Sequence, residues 1–185
     1  MKKLFCVVGR TGTGKDSLVD LVCSSLGMKK VKSYTTRERR PGEGDDSHVF
    51  IKPVEIDQFK GRMAAYTKIG EVEYFATVDQ VLEGDFYVID PNGLDDFRER
   101  WDFNKFPMSI VVIYVTVPKM TQLSRLLGRG DNAEKSNSRM LAENNQFGEF
   151  ETKQRMDYTV VNSDLEQAVL GLQKIVLQEL SRKEA

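Results

Sequence analysis

"GRTGTGKDSL", residues Gly9–Leu18, separates two stretches whose apolar residues repeat with different periods. Before it, "KLFCVVG" (3–9) is a short apolar run ending in glycine, which is typical of a buried strand. After it, apolar residues recur at helical spacing from Lys15 to Leu26, and Gly27 offers a stop. A strand, a glycine loop and a helix in this order predict the opening of an α/β unit.

The loop itself has the spacing Gly9-x-x-x-x-Gly14-Lys15 of a P-loop. In a P-loop, backbone N–H groups and the lysine surround phosphate oxygens at the N-terminus of a helix. A glycine-rich turn with a surface lysine is the alternative. The motif requires a strand before it and a helix after it, and this sequence predicts both, so we favour the phosphate loop.

Asp16 stands where a P-loop usually carries the serine or threonine hydroxyl that holds magnesium. A carboxylate is also a hard-oxygen ligand for Mg²⁺, and an acid in the first helical turn is favoured by the helix dipole. Alternatively, the Ser17 hydroxyl could bind the Mg²⁺ through a water molecule. Asp16 would then only stabilise the start of the helix. The sequence leaves the choice between Asp16 and Ser17 open, and neither choice ends the phosphate interpretation.

The chain has 185 residues and a net charge of −1, which fits one domain and argues against a broad basic surface for nucleic acid. We find no apolar stretch long enough for a signal-peptide core or a membrane span.

Cys6 and Cys23 sit in apolar surroundings without metal-like spacing, which favours two buried thiols in a reducing cytosol. His48 is the only histidine, so the sequence offers almost no residues for a histidine-based catalytic triad or a zinc cluster. We expect a cytoplasmic protein.

Strand and helix patterns alternate again after a polar stretch from Ser33 to about Glu83. The predicted elements are two buried strands, "FYVID" (86–90) and "SIVVIYVTV" (109–117), a helix "KMTQLSRLL" (119–127) and a short strand "YTVVN" (158–162). A second polar stretch, from Gly128 to Met156, suggests a mobile cover. The pattern predicts a parallel sheet with helices on both faces and two polar insertions.

A final helix is predicted from a capping box formed by Ser163 and Glu166. Apolar residues then recur at the spacing of one helix face. The predicted face comprises Leu165, Ala168, Val169, Leu172, Ile175, Val176 and Leu180.

"SYTTRERRPGE" (33–43) concentrates arginines beside hydroxyl side chains. A solvated charged loop would explain the charge alone, but arginine forks also suit a terminal phosphate, which predicts a second phosphate-bearing substrate. This stretch resembles the acceptor-site motif of the guanylate kinase family, Ser-x-Thr-Thr-Arg-x-x-Arg-x-Gly-Glu. The resemblance continues through "EYFATV" (73–78), "IDPNG" (89–93), "LLGRG" (126–130) and "DYTVVNSDLEQA" (157–168).

The resemblance implies a single kinase domain over 1–185, with a parallel sheet of the P-loop NTPase type. Its core would comprise about 1–32, 86–128 and 157–185, with a region that binds the nucleoside monophosphate (NMP) at 33–85 and a lid at 129–155. It implies ATP-dependent phosphoryl transfer to a nucleoside monophosphate, most plainly GMP or dGMP, with Mg²⁺ as cofactor. The partners are then ATP and the monophosphate, with no nucleic acid and no membrane.

The resemblance also implies roles for single residues. The residues expected at the ATP site are Gly9, Gly12, Thr13, Gly14, Lys15, Asp16, Ser17, Arg129 and Asn162. Those expected at the NMP site are Ser33, Arg37, Arg40, His48, Tyr74 and Asp90. Lys15 would act in catalysis together with the lid arginines, Arg129 and Arg139, and Asp16 or Ser17 would hold the metal. Asn162 would sit against the donor adenine.

The family's guanine readers, a glutamate and a serine, align with Ala65 and Ala76 in this sequence. Alanine cannot pair with a base edge, so relaxed or altered base selection is expected unless Glu71 or Glu73 takes over. Two alternatives stay open: a kinase of the same family with another base preference, and a non-catalytic binding module. Such modules typically have a damaged donor site, and the presence of Lys15, Arg129 and Arg139 favours an enzyme.

Overall fold

The structure, a computed structural model, describes residues 1–39, 43–44, 47–128 and 133–182, with the backbone alone for 133–140 and 142. Its strands are β1 Lys2–Val8, β2 Tyr34–Thr35, β3 Val49–Phe50, β4 Met63–Ile69, β5 Val72–Thr77, β6 Phe86–Val88, β7 Met108–Thr116 and β8 Tyr158–Val161. Its α-helices are α1 Lys15–Leu26, α2 Val78–Glu83, α3 Pro91–Arg100, α4 Lys119–Gly128, α5 Ala133–Thr152 and α6 Leu165–Ser181. A 3₁₀ helix spans Pro53–Arg62.

The main sheet has four parallel strands in the order β6-β1-β7-β8. Side chains of β1 alternate between its faces: Leu4 and Cys6 belong to one apolar cluster, Phe5 and Val7 to another. Buried residues of α1 and α6 complete the second cluster, and those of α3 and α5 complete the first. The predicted parallel sheet with helices on both faces is therefore confirmed.

The polar stretch from Ser33 to Glu83, which shows no strand–helix alternation, forms a second sheet in the order β3-β2-β5-β4. Strands β4 and β5 form an antiparallel hairpin with Ile69 opposite Val72. The hairpin turns through Gly70, whose φ of 62° is a backbone conformation that favours glycine. Strands β2 and β3 contribute only two residues each, which is too short for sequence periodicity to register.

The final helix begins one residue later than the predicted capping box requires. Asp164 is its N-cap, and the carboxylate accepts a hydrogen bond of 2.9 Å from the Gln167 backbone N–H. The box of Ser163 and Glu166 is therefore wrong, since an aspartate caps as well as a serine and stands one position on. The buried face also differs: Leu165 and Leu180 at the two ends of the predicted stripe are exposed.

Among the described residues, no helix is long and apolar enough to cross a membrane. Cys6 and Cys23 are free and buried, as predicted. Burial raises the pKa of Cys6 to about 12 and that of Cys23 to about 11, so both stay thiols at neutral pH.

Candidate active site

A cavity of about 660 Å³ lies between the P-loop, the end of β6 and the second sheet. It is lined by most of the residues that the sequence predicts for the two substrates. These are Gly9, Gly12, Gly14, Lys15, Asp16, Ser17, Ser33, Arg37, His48, Tyr74 and Asp90. The folded chain therefore brings the donor loop and the arginine–hydroxyl stretch, which are separate in sequence, to one cavity.

The P-loop turns sharply into α1 at Gly14. This glycine caps the helix with φ 77°, and a Cβ on it would stand 2.7 Å from Nδ2 of Asn162. Any larger residue would meet both the positive φ and this contact, so the position requires glycine. Upstream in the loop, Thr13 closes a turn, because its Oγ donates a 2.8 Å hydrogen bond to the Arg10 carbonyl.

Two side chains brace the loop from behind. Nδ2 of Asn162 donates to the Thr13 carbonyl at 2.8 Å, and Arg125 donates both to that carbonyl at 3.2 Å and to the Asn162 carbonyl at 2.9 Å. Asn162 is 1% exposed and Thr13 is 2% exposed. Thr13 and Asn162, which the sequence places at the ATP site, therefore lie behind the loop and do not line the cavity.

Lys15 and Asp16 carry opposite charges in the first turn of α1. Nζ of Lys15 is 3.9 Å from Oδ2 of Asp16, and about half of the Asp16 side chain (52%) is exposed. Asp16 and Ser17 both line the cavity, so a carboxylate and a hydroxyl, the hard oxygen donors that Mg²⁺ prefers, are available there. No group of three histidine, cysteine or acidic side chains is placed to hold a metal within the described part of the chain.

Arg37 reaches the cavity as part of a bidentate ion pair. Its guanidinium donates to the two carboxylate oxygens of Glu43 at 2.9 and 2.7 Å, and it lies over the ring of Phe50 at 5.4 Å. These contacts fix the plane of the fork before a substrate arrives. A guanidinium held in this way has less side-chain freedom to lose when it binds a phosphate.

His48 stands beside Ser33 and Tyr74. Its Nδ1 is 3.1 Å from the Ser33 Oγ, and its ring meets the Tyr74 ring edge-on with centroids 5.9 Å apart. Burial lowers the pKa of His48 below its ordinary value of 6.5, and the charge of Asp16 opposes this in part. A neutral imidazole with one N–H donor is therefore the form at neutral pH.

Asp90 is fixed at the N-terminus of α3. Its Oδ1 accepts hydrogen bonds from the backbone N–H groups of Asn92 and Gly93, at 3.1 and 3.2 Å, and from the Thr67 Oγ at 3.2 Å. Burial raises the pKa of Asp90, and these hydrogen bonds oppose the rise. The carboxyl group is thus held rigidly at one wall of the cavity.

Helix α5, which lies within the stretch that the resemblance assigns to the lid, forms another wall of the cavity. Glu143 accepts a hydrogen bond of 3.0 Å from the backbone N–H of Thr11, and Arg10 pairs with Glu151 at 2.9 Å. Arg10 also lies 5.1 Å from the centre of the Phe147 ring. The P-loop is therefore attached to α5 through two of its four variable positions, Arg10 and Thr11, and a glycine–lysine motif does not predict these contacts.

The two alanines at the family's base-reading positions are fully buried. Ala65 is 1% exposed and Ala76 is not exposed, and they pair directly across β4 and β5. Two positions further along the strands, on the same face of the hairpin, Thr67 pairs with Tyr74. Both of these residues line the cavity. The alanines therefore lie on the cavity face of the hairpin but within the apolar cluster beneath it.

Neither glutamate that could replace them faces the cavity. Glu73 pairs with Lys68 on the opposite face of the hairpin, and its Oε1 accepts a 2.7 Å hydrogen bond from the Tyr66 hydroxyl. The Glu71 side chain is 98% exposed next to the turn. In the folded chain, therefore, neither Glu71 nor Glu73 is placed to take over the role of the family's guanine readers.

Three of the predicted arginines cannot be placed. Arg40 and Arg129 lie outside the described residues, and for Arg139 in α5 only the backbone is described. Their roles at the acceptor and in the lid stay predictions.

The comparisons with known proteins agree with the cavity. A sequence profile of the family described as "Guanylate kinase" matches residues 1–179. The chain is 31% identical to the guanylate kinase of Colwellia psychrerythraea, over 94% of this chain and 83% of that protein. It is 29% identical to the guanylate kinase of Escherichia coli K12, over 97% and 89%. The structure of guanylate kinase from Anaplasma phagocytophilum superposes with a TM-score of 0.69 at 20% identity, covering 98% of this chain and 88% of that one.

Proposed function

Since this chain belongs to the guanylate kinase family, which phosphorylates GMP with ATP, we propose that its cavity catalyses ATP + GMP → ADP + GDP, with dGMP as a second acceptor. An oxygen of the acceptor phosphate attacks the γ-phosphorus of ATP, and the bond from that phosphorus to the β–γ bridging oxygen breaks. The observation that carries the proposal is that Lys15 of the P-loop and Arg37 of the acceptor stretch line one cavity.

On the donor side, the backbone N–H groups from Gly12 to Asp16 and the ammonium of Lys15 hold the β- and γ-phosphates of ATP. Asp16 or Ser17 holds the divalent metal that an ATP-using kinase implies, and we propose Mg²⁺, which supplies charge neutralisation on the transferred group when bound. The protein's contribution is to fix the two reacting oxygens and the phosphorus in line.

On the acceptor side, Arg37, Tyr74 and Ser33 bind the phosphate of the monophosphate, with an N–H donor from His48. Arg40 completes this set, and Arg129 and Arg139 neutralise charge on the phosphoryl group in flight. These last three roles rest on the family resemblance alone. Closure of the lid would also exclude water, which would otherwise hydrolyse ATP.

We also propose that the base preference is weaker than in a guanylate kinase that retains its glutamate and serine. Ala65 and Ala76 offer no partner to a base edge, so the penalty for a wrong base falls towards that of shape alone, about 1–3 kcal/mol. A non-catalytic binding module is the weaker alternative, because the P-loop is formed and Lys15 lines the cavity. We propose that the protein acts in the cytoplasm.

The test is a panel of GMP, dGMP, IMP, AMP and CMP with ATP and Mg²⁺, read as release of ADP and as conversion of each monophosphate to its diphosphate. We expect GMP to be the best acceptor. Lys15→Ala should abolish turnover with unchanged thermal unfolding, because the lysine lines the cavity and belongs to neither apolar cluster. Wild-type protein that converts none of the monophosphates would contradict the proposal, and full activity of Lys15→Ala would remove the P-loop from the mechanism.

A further inference from the structure

We propose that Thr67 is a positioning residue of the acceptor site, which holds the carboxylate of Asp90 towards the nucleoside part of the bound monophosphate. This inference rests on the proposed function, because it assigns part of the same cavity. The family resemblance places Asp90 at the NMP site and gives no role to Thr67. Both residues line the cavity, and the Thr67 hydroxyl donates to Oδ1 of Asp90 at 3.2 Å.

The pairing of β4 with β5 places Thr67 on the acceptor side of the cavity. Thr67 stands directly opposite Tyr74, and paired residues of an antiparallel hairpin share a face. The Tyr74 ring meets the ring of His48, which in turn lies beside the Ser33 hydroxyl. These three side chains are the ones proposed to bind the acceptor phosphate. Thr67 therefore adjoins the phosphate-binding residues.

The base-reading positions of the family adjoin Thr67 on its other side. Ala65 and Ala76 pair two positions along the same face of the hairpin. A nucleotide whose phosphate lies at Tyr74 therefore has its nucleoside part next to Thr67 and Asp90.

The two carboxylate oxygens of Asp90 have different surroundings. Oδ1 accepts three hydrogen bonds, from the Thr67 hydroxyl and from two backbone N–H groups at the start of α3. Oδ2 accepts none from the described residues. The fully buried side-chain oxygens and nitrogens that lack a partner in the described part of the chain belong to Gln146 and Asn162. Oδ2 of Asp90 is not one of them, so it keeps accessible surface where Asp90 lines the cavity.

Thr67 contributes what the other two donors cannot. The backbone N–H groups belong to α3, the helix that Asp90 itself caps, whereas the Thr67 hydroxyl comes from the second sheet. It therefore ties the carboxylate to the sheet that carries the acceptor residues. Burial raises the pKa of Asp90, and the hydrogen bond from Thr67 is one of those that lower it. Thr67 thus orients the carboxylate and favours its charged form.

The exposed oxygen of Asp90 suits a hydrogen-bond donor of the nucleoside. A carboxylate accepts from N–H or O–H groups, and a phosphate dianion offers neither. Guanine presents its N1–H and 2-amino donors on one edge, where adenine presents the N1 acceptor, and ribose presents hydroxyls. Because the neighbouring pair on the hairpin is the base-reading pair of the family, we expect the donor to be the guanine edge.

This single acceptor agrees with the weakened base preference of the proposed function. Asp90 is only half-buried, so water can reach the carboxylate when a base offers it no donor. The cost of an unmatched base is then small, because a polar group that water solvates is not left unpaired.

Thr67→Val removes the hydroxyl, keeps the branched shape and is the decisive variant. We expect the KM for GMP and for dGMP to rise about tenfold, with kcat and the KM for ATP unchanged and less than about a threefold change for AMP. Thr67→Ser retains a hydroxyl and should restore the KM for GMP. Thr159→Val, the same change at an exposed position of β8, is the matched control and should change no substrate.

Two further measurements separate positioning from a merely structural role. If Thr67 acts through Asp90, Thr67→Val should raise the KM for GMP less than about twofold when Asp90→Asn is already present, because interacting residues are not additive. NMR titration should show a higher pKa of the Asp90 carboxyl in Thr67→Val and the parent's pKa in Thr67→Ser. A structural threonine would give additive losses and would raise the KM for ATP and GMP alike.

An unchanged KM for GMP in Thr67→Val, or additive losses with Asp90→Asn, would overturn the assignment and leave the kinase proposal standing. Equal losses for GMP and AMP with dGMP spared would support the positioning role and identify the donor as the ribose 2′-hydroxyl. If the wild type converts no monophosphate but binds GMP by calorimetry, the kinase proposal fails, and the GMP affinities of Thr67→Val and Thr67→Ser still decide the role of Thr67. Wild type that binds no monophosphate at all overturns both.

Discussion

Asp16 places a carboxylate in the first turn of α1, where the P-loop pattern expects a hydroxyl. We expect Asp16→Ala to raise the Mg²⁺ concentration for half-maximal rate by about tenfold, because a hard oxygen ligand is lost. Asp16→Ser should largely restore the parent's requirement. Titration of the rate with Mg²⁺ at saturating ATP is the measurement. If Asp16→Ala titrates like the parent while Ser17→Ala does not, the hydroxyl is the ligand and Asp16 serves only the helix start.

His48, the sole histidine, gives a second prediction at the scale of one residue. Its folded-state pKa lies below 6.5 because the ring is buried, so the unfolded chain binds the proton more readily. This contribution to stability is therefore fully present above pH 6.5 and is lost as the pH falls from 6.5 through the lower folded-state pKa. NMR titration of the single imidazole should give a midpoint below 6.5 in the empty protein. A bound dianionic phosphate should raise that midpoint; a midpoint at or above 6.5 without ligand would refute the assignment.

The roles of single residues differ in how well the sequence predicts them. Lys15 and Gly14 belong to a motif whose local geometry fixes their roles, so both could be predicted. Thr67 and Gln146 line the cavity only because β4 pairs with β5 and α5 packs on the P-loop. Those contacts depend on distant parts of the chain, and no local pattern encodes them.

At the scale of elements, the P-loop depends on a brace from β8 and α4. Asn162 follows β8 and Arg125 belongs to α4, and both donate to the Thr13 carbonyl. We expect Asn162→Ala to lower the free energy of unfolding by about 1–3 kcal/mol, because a buried hydrogen bond is lost, and to weaken ATP binding through a looser loop. Asn104→Ala, at an exposed asparagine, is the control and should change stability by less than about 0.5 kcal/mol.

Chemical denaturation gives the stability, and calorimetry with ATP gives the affinity. Loss of ATP affinity with full stability would instead mean that Asn162 contacts the nucleotide, as the family resemblance implies.

Strands and helices could be predicted where both faces of a strand are buried or where the local sequence pattern is strong. Strands β1 and β7 are nearly continuous apolar runs, and α1 ends at Gly27 in the left-handed conformation that its sequence predicts. The second sheet was not predicted, because strands of two residues carry no period and their pairing joins residues far apart in the chain. The 20-residue α5 was missed because its apolar residues are sparse among polar ones.

At the scale of the whole molecule, the proposed function assigns one substrate site to each sheet. Lys15 follows the main sheet, and Arg37 follows β2 of the second sheet. We expect Arg37→Ala to weaken monophosphate binding by about 2–4 kcal/mol, because a charge-assisted phosphate contact is lost, and to leave ATP binding unchanged. Separate calorimetric titrations with GMP and with ATP measure both effects. Equal weakening of the two ligands would show that Arg37 belongs to the donor site.

The attachment of α5 to the P-loop has a thermodynamic consequence for substrate order. Glu143 bonds to the P-loop at Thr11, and Gln146, three residues later on the same helix, lines the cavity that the two substrates are proposed to share. Any shift of α5 on binding of one nucleotide would therefore alter the free energy of binding of the other. Such coupling is reciprocal: whatever factor ATP imposes on the affinity for GMP, GMP imposes on the affinity for ATP. Under the proposed function, α5 thus connects the two substrate sites, and each substrate would act as an effector of the other.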